Sequence, residues 1–215
     1  MKRKCLIIAW LGAASLAAVG DAAPQPSLVP KSWELNFRYM DPQRIVVTVP
    51  GRAEPVVYWY MLYTVENRTG EARDFYPTFE LVTDTFNLVE SEIGVSPEAF
   101  RAIQRRWNNP LLLEPARING RLLVGEDRAK QGVAIFPDFD PAAREFTIYV
   151  KGLSGETARL RNPAFDPARP EDNRNPRFFI LHKTLAIPYR LPGGGEARSL
   201  AVPQRLSREP QWVMR

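Results

Sequence analysis

The sequence predicts a mainly β protein, an antiparallel sandwich carrying one short helical insertion. Three observations predict it. Short runs rich in Val, Tyr, Phe and Trp recur along the chain between clusters of Gly, Pro, Asn and Asp. A single segment, near 97–107, has helical periodicity, which is too little helix for the crossovers of a parallel sheet. The third is "VVYWYMLYTVENRTG", Val56 to Gly70, a strand leading into a turn. From Val56 to Leu62 every position is apolar or aromatic, so both faces of that strand call for cover.

The chain has 215 residues, and that length suits one domain with additions. It begins "MKRKCLIIAWLGAASLAAVGDAAPQPS". Lys2, Arg3 and Lys4 precede an apolar run from Cys5 to Val19, and small residues follow. That layout predicts a signal peptide over residues 1–22, with cleavage after Gly20 or Ala22. The apolar run is short of the ~20 residues of a membrane-spanning helix. An uncleaved N-terminal anchor is the alternative. Cys5 stands at the start of the run, the wrong place for a lipidated cysteine. Without the leader the chain holds no cysteine, so disulfides cannot support the fold and a packed core must.

Residues 23–32 are Pro-rich and read as an extended tether before a single domain over 33–215. "WELNFRY" alternates Trp33, Leu35, Phe37 and Tyr39 against polar residues, a half-buried strand. "RIVVTV" is a second strand, and "PGRAEP" a loop. The strand 56–66 follows, then a turn with Asn67 and Gly70 as its special-φ residues. "YPTFELVTDTFNLVE" is read as its antiparallel return strand, the pair forming a long hairpin. In "VSPEAFRAIQRRWNNP" Ser96 suits an N-cap, Pro97 the first helical position and Glu98 the dipole. Phe100, Ile103 and Trp107 form one apolar stripe. This stripe is the expected cover for Tyr58, Tyr60 and Leu62, a partner or a second copy being the competing one. "RINGRLLVG" suggests a small hairpin around Asn119-Gly120. Val133–Phe136, Glu145–Gly152 and Phe178–Leu191 read as strands, with "PGGGEA" a turn and "QWVMR" a tail that docks on the fold or on another chain.

Several chemistries are excluded or disfavoured. His182 is the single histidine, so a closed zinc site lacks ligands. "GLSGE" around Ser154 is not a nucleophile elbow, and Ser154 reads as a turn residue. His182 reads as an ordinary sheet residue, with a binding or pH-sensing role as the alternative. No phosphate-cradling glycine motif occurs, so no cofactor is expected. Asp138, Asp140, Asp166, Glu171 and Asp172 lie on turns and a Pro-rich loop but do not match a calcium-binding pattern. "NRT" at Asn67 matches a glycosylation sequon and reads as a plain turn. The formal charge of +5 falls to +2 or +3 once the leader is removed, which disfavours nucleic acid as a partner.

"VVYWYMLYTVENRTGEARDFYPTFELVTD", "GVAIFPDFD" and "EFTIYVKGLSGE" resemble strands of uncharacterised secreted bacterial proteins with an immunoglobulin-like β-sandwich. The shared feature is an aromatic strand closing on an Asn-x-Thr-Gly turn, with a later strand ending at Gly-Leu. The resemblance implies an immunoglobulin-like sandwich and carries no catalytic residues. The resulting expectation is an exported, periplasmic or extracellular, non-enzymatic binding or structural protein of the cell envelope. Its partner would be an envelope protein or a glycan. A carbohydrate-binding or glycan-processing module is the alternative, since aromatic faces stack on sugars. The residues expected to touch a partner are Trp107, Arg105 and Arg106, then Tyr58 and Tyr60, and Trp212.

Overall fold

The computed structural model describes residues 23–193 and 200–215. The signal peptide read over 1–22 and most of the "PGGGEA" turn lie outside the described residues. The elements run β1 (Asn36–Tyr39), β2 (Gln43–Val47), β3 (Val56–Glu66), β4 (Arg73–Phe75), β5 (Thr78–Thr83) and β6 (Leu88–Glu90). Next come α1 (Pro97–Trp107), α2 (Pro115–Ile118), β7 (Gly120–Leu122), β8 (Lys130–Pro137), β9 (Glu145–Lys151) and β10 (Thr157–Arg161). The chain closes with β11 (Phe178–Arg190), β12 (Gln204–Arg205) and β13 (Gln211–Met214).

The protein is mainly β, with antiparallel pairing throughout its two larger sheets. Each of these sheets is built on one long strand. In the first, β1 and β2 lie end to end along one side of β3, with Tyr39 opposite Tyr63 and Gln43 opposite Tyr60. β8 takes the other side, with Tyr60 opposite Ile135. In the second, β9 and β10 lie end to end along β11, while β13 and β12 follow its opposite side. β5 and β6 continue the sheet outward from β9.

The two sheets close on an apolar layer because alternate residues of a strand face the same way. Trp59, Met61, Tyr63 and Val65 of β3 meet Phe79, Leu81, Phe146, Ile148 and Tyr189. Rings form a chain through this layer: Tyr63 to Phe79 at 4.9 Å, Phe139 to Phe146 and Phe146 to Tyr189 both at 5.3 Å. The other face of β3 packs under α1. Tyr58, Tyr60, Val133 and Ile135 meet Ala99, Phe100 and Ile103, with Leu62 and Trp107 at the margin. The stripe on α1 is thus the cover that the sequence called for. Ser96 caps the helix by accepting from the Glu98 N–H, and Asn108 ends it in the left-handed conformation.

Three expectations change. The segment after Gly70 does not return beside β3 as a hairpin, because both sides of β3 are already paired. Instead β5 joins the facing sheet, and β4 pairs with β7. Asn119-Gly120 is not a hairpin turn. Residues before it form the short helix α2, and β7 finds its partner in β4. Gly70 has positive φ as expected, but Asn67 acts through its side chain. Its amide donates to the Glu71 and Leu122 carbonyls and accepts from the Thr69 N–H, and the residue is fully buried.

A charged group also sits inside the fold. Lys183 is buried, with its Nζ 2.6 Å from Glu34 and 3.1 Å from Glu156. Desolvation opposes its charge, but Glu34 and Glu156 outweigh that and hold the Lys183 pKa above its ordinary value. Nζ also donates to the Ser27 carbonyl, and the Ser27 N–H donates to Glu156. The Pro-rich segment is therefore fastened to the sandwich at Ser27.

Two substitutions test this architecture. A Cβ at Gly132 would lie 2.6 Å from the Tyr63 ring and 3.0 Å from Ile118. Gly132→Ala is expected to lower stability by about 1–3 kcal/mol, read from urea unfolding. Lys183→Ala leaves buried Glu156 without its cation, a loss of about 3–5 kcal/mol. It should also expose residues 23–32 to limited proteolysis; unchanged cleavage there would refute the fastening role of Lys183.

Candidate functional site

β8 is an edge strand, and an open edge must be covered or blocked. Here the cover is incomplete. A cleft of ≈ 510 Å³ lies along the edge, within the range of small-ligand sites. Its floor is Val133 and Ile135, and one wall is the start of β5, with Phe79. The start of α1, with Val95 and Phe100, and the α2 segment, with Ile118, supply the remaining walls.

Glu92 is the polar centre of the cleft. It follows β6 in the turn "SEIG" and has φ of 69°, a left-handed conformation that costs an ordinary residue roughly 1 kcal/mol. That conformation aims two groups at the edge strand. The Glu92 N–H donates to the Ile135 carbonyl at 2.8 Å, and the Ile135 N–H donates to Glu92 Oε1 at 3.0 Å. The carboxylate thereby imitates a neighbouring strand at one position. Glu92 as a whole is exposed, whereas its carboxyl lies against Ile135, and desolvation there raises its pKa to about 7. Hydrogen bonding from Ile135 opposes the rise. Glu90 and Glu114 also line the cleft, as does Arg101, which is ion-paired to Glu98.

The residues expected to touch a partner divide into three groups. Tyr58 and Tyr60 are buried beneath α1, which corrects their place among the residues expected to touch a partner. Their hydroxyls are occupied: Tyr58 accepts from the Ser96 N–H, and Tyr60 donates to Gln43 and accepts from Trp107 Nε1. Arg105 and Arg106 are exposed on the last turn of α1, and Arg106 donates to the Arg44 carbonyl. Trp107 beside them is half-buried and lines a smaller pocket of ≈ 280 Å³ with Tyr39, Leu112 and Gln131. Trp212 lies in β13, half-buried, with the Lys183 ammonium 5.2 Å from its ring. The tail docks on its own fold. The structure does not bring Trp212 to the cleft or to Trp107, since neither pocket is lined by it.

The acidic loops are occupied by turn chemistry. Asp138 accepts from Trp59 Nε1, Asp140 from the Ala142 N–H, Asp166 from the Ala168 N–H, and Asp172 from the Arg174 and Asn175 N–H groups. Among the described residues no three His, Cys, Asp or Glu side chains are grouped as for a metal ion. His182 is partly buried, and desolvation followed by the Lys151 charge lowers its pKa. Among the described residues no helix is long and apolar enough to cross a membrane.

The sequence carries little signal for Glu92, because "VESEIG" looks like any polar turn. Its one signal is a Glu two residues before Gly within an otherwise β pattern. No family model matches the chain, and no curated protein or solved structure shows significant similarity to it.

The raised pKa of Glu92 has a defined consequence. Between about pH 4.5 and 7 the folded state holds a proton that the unfolded state has lost, so this group's contribution is full at the acid end and disappears as pH rises through 7. Glu92→Gln keeps an acceptor for Ile135 without the titration. Wild type should lose stability relative to this variant from pH 5 to 8 in paired denaturation curves. A constant difference would contradict the desolvated carboxyl.

Proposed function

We propose that this protein is an exported, non-enzymatic binding component of the cell envelope, built as an immunoglobulin-like β-sandwich, with its ligand held in the cleft along β8. The observation that carries the reading is the cleft itself. It is a concave site of ligand size that combines apolar side chains with several polar ones at the edge of a sheet. Export is supported by the basic, then apolar, then small-residue order of residues 1–22. The non-enzymatic reading is supported by the lack of a nucleophile–base pairing in the sequence, with its single histidine. The sugar-stacking alternative draws little support from the tryptophans. Arg73 lies over Trp33 at 5.7 Å, Lys183 over Trp212, and Trp107 is tied to Tyr60.

The test is a thermal-shift screen of the exported protein against sugars, nucleotides, lipids, amino acids and short peptides. A ligand at 100 times its Kd adds about 2.7 kcal/mol, a rise of several degrees for a domain of this size. At least one class should raise Tm, and Ala116→Trp, which fills the cleft mouth, should abolish the rise. A compound consumed rather than retained would overturn the non-enzymatic reading. An intact mass that keeps residues 1–20 would overturn cleavage of the leader.

A further inference from the structure

The outward-facing backbone of β8 is bonded at two places and unpaired between them. In an antiparallel ladder alternate residues turn both N–H and C=O to the same side. The odd-numbered residues of β8 face away from β3. The Gln131 carbonyl accepts from the Leu113 N–H at 2.9 Å, and Ile135 is held by Glu92 through both its groups. Val133 lies between them and faces the same way. No described group outside the ladders bonds its N–H or its C=O, and the residue is 1% exposed. Buried amides are paired in more than about 90% of cases, and an unpaired one costs about 1–3 kcal/mol. Val133 itself forms part of the floor of the cleft.

Strand-like spacing of a donor and an acceptor is what one peptide unit presents to another. Residues 131 to 135 span roughly 13 Å at about 3.3 Å per residue. Leu113 and Glu92 close the two ends, so the opening admits only two or three residues in extended form. Charge is one-sided as well. Glu90 on β6, Glu92 after it and Glu114 before α2 face the cleft, while Arg101 on α1 is paired to Glu98. Tyr63 of β3 lies behind them and stays neutral, since burial raises its pKa. Glu92 Oε1 is occupied by Ile135, and Oε2 carries no bond from a described residue.

Resting on the reading of the cleft as a binding site, we infer that its ligand is a short basic peptide, whose backbone adds to β8 at Val133 and whose ammonium group pairs with Glu92. Phe79, Val95, Phe100 and Ile118 receive its apolar side chains. Because Glu92 loses its proton near pH 7, affinity for the cation rises through that pH.

The probes are the capped tripeptide acetyl-Ala-Lys-Ala-amide, its norleucine analogue, and a series with each backbone amide N-methylated, measured by calorimetry at pH 8. The lysine peptide should bind at least tenfold more tightly than the norleucine peptide. One N-methylation should cost at least tenfold. Glu92→Gln should reduce the lysine preference below threefold while keeping the fold. Equal affinity for lysine and norleucine would overturn the cationic assignment. Indifference to N-methylation at every position would overturn strand addition. No peptide binding, with another class of compound still retained and displaced by Ala116→Trp, would overturn the peptide assignment and leave the binding site standing. No retention of any class would overturn both.

Discussion

The two-sided apolar strand β3 is the constraint on which the rest of the structure depends. A half-buried strand needs one neighbouring layer; β3 needs two. Its odd-numbered side chains are satisfied by the facing sheet, and its even-numbered ones by α1. Left bare, Tyr58, Tyr60, Val133 and Ile135 would form an apolar patch of the kind that drives association. The amphipathic stripe of α1 therefore serves as a structural lid on the first sheet. The helix reaches its place by way of the turn at Glu92, and that path leaves the cleft beside β8.

Polar groups fix what apolar packing alone would leave free. Trp107 Nε1, Tyr60 and Gln43 form a chain of hydrogen bonds between α1 and the sheet. On the second sheet the buried Lys183 is satisfied by Glu34 and Glu156, and Trp212 contributes its ring face. Such a group gains little net stability over a well-packed apolar residue, but it penalises any arrangement that separates its partners. Its partners come from four places along the chain: Ser27 and Glu34 near the start, Glu156 before β10, and Trp212 at the end. The group thus ties both ends of the domain to β11. The edge of β8 shows the opposite strategy. Glu92 mimics a strand at Ile135, Leu113 does so at Gln131, and Val133 is left between them.

What the sequence determined by itself is local in origin. Runs of β-branched and aromatic residues between turn signals placed the strands at Val56–Glu66, Val133–Phe136, Glu145–Gly152 and Phe178–Leu191, each within a residue or a few of the observed elements, because such composition needs no long-range information. The Ser-Pro-Glu start of α1 was legible for the same reason, as was the stripe that covers β3. Tertiary structure decided the pairing. The return strand after Gly70 carries hairpin signals, yet both sides of β3 were claimed by distant segments, so β5 crossed to the other sheet. Periodicity does not encode which of two equally apolar faces meets which neighbour. Tyr58 and Tyr60 could thus be read both as residues under the α1 stripe and as partner contacts, and burial beneath α1 decided for the first. The cleft was beyond sequence reasoning for a related reason. Its defining features are a backbone left unpaired at Val133 and a carboxylate brought to Ile135 by a left-handed turn, and both exist only once β6, α1, α2 and β8 are assembled around the same edge.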